Sequence, residues 1–149
     1  MTQGHVNLKV VHDRLRLIET CLDDLKSSVP ASSFEEFTAD RRNAAAAESM
    51  LRRAIQSLFD LVRHLVAKAY GRGLLEYREL ARLAKEKDLI HDPRLADVLQ
   101  KLAGYRNRLT HFYDEVTDEE LYDIVRNRLQ DLEDLARELE ESAIRLTGG

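Results

Sequence analysis

Apolar residues in this chain recur at alternating intervals of three and four over long runs, the spacing of helices that bury one face. Leu8, Val11, Leu15, Ile18, Leu22, Leu25 and Val29 form the first stripe. Ala44, Ala47, Leu51, Ile55, Leu58, Val62, Leu65 and Ala69 form the second, and Leu121, Val125, Leu129, Leu132, Ala136, Leu139, Ala143 and Leu146 form the last. Between them, Tyr77, Leu80, Leu83 and Ala84 predict a short helix over residues 76–87, and Leu95, Val98, Leu99 and Leu102 predict a longer one running toward Leu109. Pro30 closes the first segment and Gly71-Arg72-Gly73 the second, while Asp92-Pro93 reads as a cap and first turn. Ser33 and Glu36 predict a capping box ahead of the second long helix, and Thr117-Asp118-Glu119-Glu120 opens the last one with the acidic turn that the helix dipole favours. Two prolines and six glycines in 149 residues leave little turn chemistry for a many-stranded sheet. The expectation is one all-α domain over residues 1–149, an antiparallel four-helix-type bundle with a short extra helix.

Composition narrows the function classes. Cys21 is the only cysteine, which excludes an internal disulfide and a cysteine-based zinc site and suits a reducing cytoplasm. No apolar run approaches ~18 residues and no basic-then-apolar segment opens the chain, so neither a membrane span nor a secretory signal is expected. The five histidines share no ligand spacing with a carboxylate cluster, so no metal site and no cofactor are expected. The net charge of −4 is unevenly spread: residues 41–113 carry fifteen basic and eight acidic side chains, and residues 114–141 carry three and twelve. Of the 23 basic residues, 17 are arginine, the side chain that forks onto phosphate or carboxylate. Such a basic middle segment either pairs with acidic helix faces or meets nucleic acid.

Bundle patterning does not account for Tyr105-Arg106-Asn107-Arg108-Leu109-Thr110-His111-Phe112-Tyr113, where cationic, amide, imidazole and phenolic groups crowd nine residues. His111, whose ordinary pKa is about 6.5, is suited to take the proton of a ribose 2′-hydroxyl as that oxygen attacks phosphorus. Arg106 is suited to pair with phosphate oxygens and with charge that builds up on them. Asn107 can orient His111 or close the helix end, and Tyr113 can stack on a base or bind phosphate. Equally, His111 can be a helix-terminal cation, Tyr113 a core aromatic and the arginines members of surface ion pairs. On a regular helix Arg106 and His111 point about 140° apart, so they converge only if the last turn tightens or a second copy contributes. Asp60 and His64, four apart in the second stripe, share a helix face and either support the same cleft or bond to each other.

Taken together, Arg106-x4-His111-x-Tyr113, the Arg-Asn opening, the acidic helix start that follows and the helical layout resemble the HEPN superfamily. Within it the similarity is to the HepT ribonuclease toxins encoded beside a minimal nucleotidyltransferase antitoxin. It extends through Glu35-Glu36-Phe37, Arg41-Arg42, the Tyr77 helix and Asn127-Arg128-Leu129. The resemblance implies a helical homodimer that brings two motifs into one cleft. It implies metal-independent cleavage of RNA and not of DNA, with Arg106 and His111 catalytic, and inactivation by AMP transfer from the antitoxin to Tyr113. Thr110 stands where relatives often carry a β-branched apolar residue. The alternative is a non-catalytic nucleotide-binding or regulatory subunit of a nucleotidyltransferase; a plain helical interaction module would leave the cluster around residue 106 unexplained.

Overall fold

In a computed structural model, residues 5–73, 75–111 and 116–148 are described, His111 through its backbone only. They form α1 (Leu8–Ser28), α2 (Phe34–Thr38), α3 (Arg41–Tyr70), α4 (Tyr77–Glu86), α5 (Pro93–His111), α6 (Asp118–Asn127) and α7 (Leu129–Gly148). The four long helices α1, α3, α5 and α7 are the expected bundle, and α4 is the expected short helix. Asn7 caps α1, its Oδ1 accepting from the Lys9 and Val10 amides, and its own N–H donates to His64 Nε2 at 2.9 Å. The start of α1 therefore lies beside the last turns of α3, and the two helices run antiparallel. Lys26 near the end of α1 pairs with Glu133 near the start of α7, so that pair is antiparallel too.

The core runs along α3, where Leu51, Ala54, Ile55, Leu58, Phe59, Leu61, Val62 and Leu65 are fully buried against the other long helices. Gly71 ends α3 in the left-handed conformation, φ 66°, that glycine adopts without steric penalty. Asp92 Oδ1 accepts from the Arg94 amide at 2.9 Å and Pro93 begins α5, as that dipeptide predicts. Arg94 then donates to the nearly buried Asp131 of α7 at 2.8 Å, which pins the start of α5.

Two expected helices are each broken in two. Ser33 Oγ accepts from the Glu36 amide, but this cap opens the five-residue α2, and the Glu36 carboxylate bonds to Ser32 rather than closing the box. The long α3 takes its cap from Asp40, whose carboxyl is held down to about 2 chiefly by its bond to the Arg42 side chain. The last helix is interrupted at Arg128: both halves touch α3, but α6 also packs on α2 and α7 along α1. Tyr122 of α6 rests on Phe34 and Phe37, and Arg126 donates to the Ala31 and Ser32 carbonyls, whereas α7 packs along α1 and α3. The apolar stripe passes through the break in phase, so spacing does not reveal it.

The Asn7–His64 contact has a pH consequence. Burial first, and Lys68 second, push the His64 pKa below its ordinary value. Below about pH 6.5 the unfolded histidine binds a proton that the folded one resists, so this contribution to stability is present above that pH and is lost as the pH falls. Thermal unfolding followed across that range should show wild-type stability declining on acidification and a shallower decline in His64→Gln.

Candidate active site

The last two turns of α5 carry the cluster that patterning left unexplained. Tyr105 and Leu109 face the core, with 3% and 2% exposure, and this fixes the register of their neighbours. Arg106 projects onto α4, its guanidinium carbon 4.4 Å from the centroid of the Tyr77 ring. That ring packs on Phe59 of α3 with centroids 4.9 Å apart. Arg63, one turn beyond Phe59 on α3, lies over the same Tyr77 ring at 5.5 Å. Three helices thus bring two guanidinium groups to one aromatic ring.

Several arginines of α3, α4 and α5 have carboxylate partners. Arg108 forks onto Glu120 at 2.8 and 2.7 Å and lies over Tyr105, Arg82 pairs with Glu86 at 2.9 Å, and Arg63 reaches Asp60 at 3.4 Å and the Leu75 carbonyl at 3.2 Å. Arg106 is half-buried and meets no carboxylate among the described residues. The Nε atoms of Arg63 and Arg106 are both buried and have no hydrogen-bond partner among the described residues. A buried donor left in that state costs about 1–3 kcal/mol. On the next turn face, burial and the Glu120 carboxylate push the Tyr105 phenol far above its ordinary pKa against the lowering effect of Arg108, so it stays neutral.

Arg106 lies at the ring cluster and Asn107 is half-buried beside it. His111 is the last residue of α5, and the helix remains α-helical from Arg106 to that point, with no tightened turn. The two positions are accordingly about 140° apart around the axis. Tyr113 lies outside the described residues. Asp60 joins the cluster through Arg63, whereas His64 points to the start of α1; each has its own partner in place of a mutual bond. Arg63 and Tyr77 are the members that spacing alone misses: Tyr77 reads as a core residue of a short helix, and the only local sign for Arg63 is Asp60 three positions earlier. Among the described residues, no three histidine, cysteine or carboxylate side chains are grouped to hold a metal ion, and no helix is long and apolar enough to cross a membrane.

The comparisons with known proteins fit this geometry. The chain is 26% identical over 122 residues, 81% of each chain, to the tRNA nuclease HepT of Aphanizomenon flos-aquae (strain 2012/KM1/D3). Its fold matches a toxin–antitoxin crystal structure with AMP-PNP at TM-score 0.77 and 20% identity, over 87% of this chain and 97% of that one. It matches the tri-AMPylated Shewanella oneidensis HEPN toxin in complex with its MNT antitoxin at TM-score 0.78 and 20% identity, over 89% and 97%. It also matches the cytosolic protein YutE of Bacillus subtilis at TM-score 0.80 and 17% identity, over 99% and 97%. These structural likenesses establish a shared all-α HEPN fold. The family model described as Ribonuclease HepT-like matches residues 18–139, most of the chain, and the protein belongs to that family.

Proposed function

We propose that the chain is a HEPN-type ribonuclease toxin that cuts RNA without a metal ion, with Arg106 and His111 as its catalytic residues. The observation that carries this reading is the half-buried Arg106, which stacks on the Tyr77 ring and meets no carboxylate among the described residues. An unpaired guanidinium on a rigid aromatic support is preorganised for phosphate. His111 as a neutral imidazole takes the proton from a ribose 2′-hydroxyl. The 2′ oxygen bonds to phosphorus, the bond to the 5′ oxygen breaks, and the departing oxygen takes a proton from water. The products are a 2′,3′-cyclic phosphate and a 5′-hydroxyl, and DNA, which lacks the nucleophile, is left intact.

Because α5 sets Arg106 and His111 on different flanks, a homodimer is the simplest way to complete the site, with Arg106 of one copy facing His111 of the other. Asn107 sits between these flanks, where it can bind substrate or orient His111. The relatives support an RNA substrate and an antitoxin partner, since one is a tRNA nuclease and another is an AMPylated toxin bound to a nucleotidyltransferase-type antitoxin. The test is cleavage of RNA by the purified chain with and without excess EDTA. Equal rates are expected; cleavage that disappears on chelation and returns with magnesium would overturn the metal-free mechanism.

A further inference from the structure

A face of α5 that carries neither Arg106 nor His111 borders a cavity of about 590 Å³ that the mechanism above leaves unused. Its floor is apolar, built from Val98 and Leu102 of α5, Ile124 of α6 and Leu132 of α7. Charged groups ring it. Arg108 is taken by Glu120, and Arg128 faces Asp123 at 3.7 Å, but Arg78 and Lys101 meet no carboxylate among the described residues. Tyr105 forms the inner wall, 3% exposed, with its hydroxyl buried and unpartnered. Gly104 leaves α5 bare at the rim, where an added Cβ would meet only the Arg78 guanidinium tip at 3.7 Å. Along α5 the residues lining the cavity span an arc of about 160° from Gly104 to Leu102, and the positions of His111 and Arg106 lie just beyond its two ends.

We propose that this cavity is a nucleotide subsite, taking one nucleoside monophosphate unit of an RNA strand beside the point of cleavage. The volume suits a ligand of that size. The apolar floor suits a base and ribose, and the two cations that meet no carboxylate among the described residues suit the phosphate. As a subsite for a strand it rests on the ribonuclease reading, but nucleotide binding is measurable by itself.

The experiment is calorimetric titration of the full chain with 5′-AMP, alongside steady-state cleavage of an RNA oligonucleotide. Gly104→Trp adds an indole at the rim of the cavity from a position whose Cβ meets only a flexible side-chain tip, and replacing glycine in a helix favours folding. Gly104→Trp and the Arg78→Ala/Lys101→Ala double variant should each weaken AMP binding by about tenfold or more and raise KM for RNA, whereas Gly104→Ala should bind like wild type. The double variant keeps the test decisive if the tryptophan disturbs folding. An RNA oligonucleotide should displace AMP; AMP that binds but resists displacement by RNA would overturn the assignment to a strand. Failure of wild type to bind AMP, or unchanged binding in both variants, overturns the subsite even if RNA is cut. Binding that follows the expected pattern in a protein that cuts no RNA would support the pocket and sink the ribonuclease reading instead.

Discussion

His111→Ala is expected to slow RNA cleavage by about two to four orders of magnitude, the usual contribution of a positioned general base. Arg106→Ala should lose about two to three orders, because it removes a preorganised charge at the reacting phosphate. Arg106→Ala gives up the guanidinium's contact with the Tyr77 ring but no residue of the apolar core, so that protein should remain folded under assay conditions. Tyr77→Leu takes away the ring beneath Arg106 and should cost about tenfold in kcat, while Tyr77→Phe keeps the aromatic face and should retain the rate. The two inactive variants also report on the shared cleft. Mixed in equal amounts and allowed to exchange, Arg106→Ala and His111→Ala chains should recover about a quarter of the wild-type rate, since half the dimers are mixed and each has one intact composite site. Mixtures that stay inactive would place both residues of a working site on one chain.

Transfer of AMP to Tyr113 by a nucleotidyltransferase antitoxin is expected to abolish cleavage. The phenol oxygen bonds to the α-phosphorus of ATP, pyrophosphate leaves, and the phenol proton goes to solvent. The new phosphodiester carries a negative charge two residues beyond His111, close to the segment meant for substrate phosphate. Arg106, which meets no carboxylate among the described residues, is the expected partner for that charge. The attached nucleotide would also compete for the space of an RNA unit, so the block is both electrostatic and steric, and being covalent it outlasts the antitoxin's departure. Co-expression should add the mass of one or more AMP groups to the chain and eliminate cleavage, and Tyr113→Phe should escape the modification at that residue. Protein carrying AMP on Tyr113 that still cuts RNA at the unmodified rate would transfer the off switch to masking by the bound partner.

Much of the fold is legible in local chemistry, for reasons that differ element by element. Pro30, Gly71 and Asp92-Pro93 act through their own backbone preferences, and α1 ends, α3 ends and α5 begins where those residues dictate. The interruptions at Ala39-Asp40 and Arg128 are different. Neither contains glycine or proline; α2 and α6 pack on each other, and α7 packs along α1 where α6 does not, pairings that three-four spacing does not record. The site divides in the same way. Arg106 and His111 stand out because polar groups crowd the end of an otherwise apolar helix. Arg63 and Tyr77 stay hidden because their significance comes from the crossing of α3, α4 and α5 over one ring. Tyr77 carries the apolar face of a short helix and the support of Arg106 at once, and a one-dimensional pattern registers only the first.

The most direct test of the account is the rate, in excess EDTA, at which the unmodified protein cuts an RNA oligonucleotide and a copy with a single 2′-deoxy nucleotide at the scissile position. The account predicts cleavage of the first, leaving a 2′,3′-cyclic phosphate, and no cleavage of the second at that bond. Equal cleavage of both, or cleavage of the RNA only when a divalent cation is restored, would contradict it.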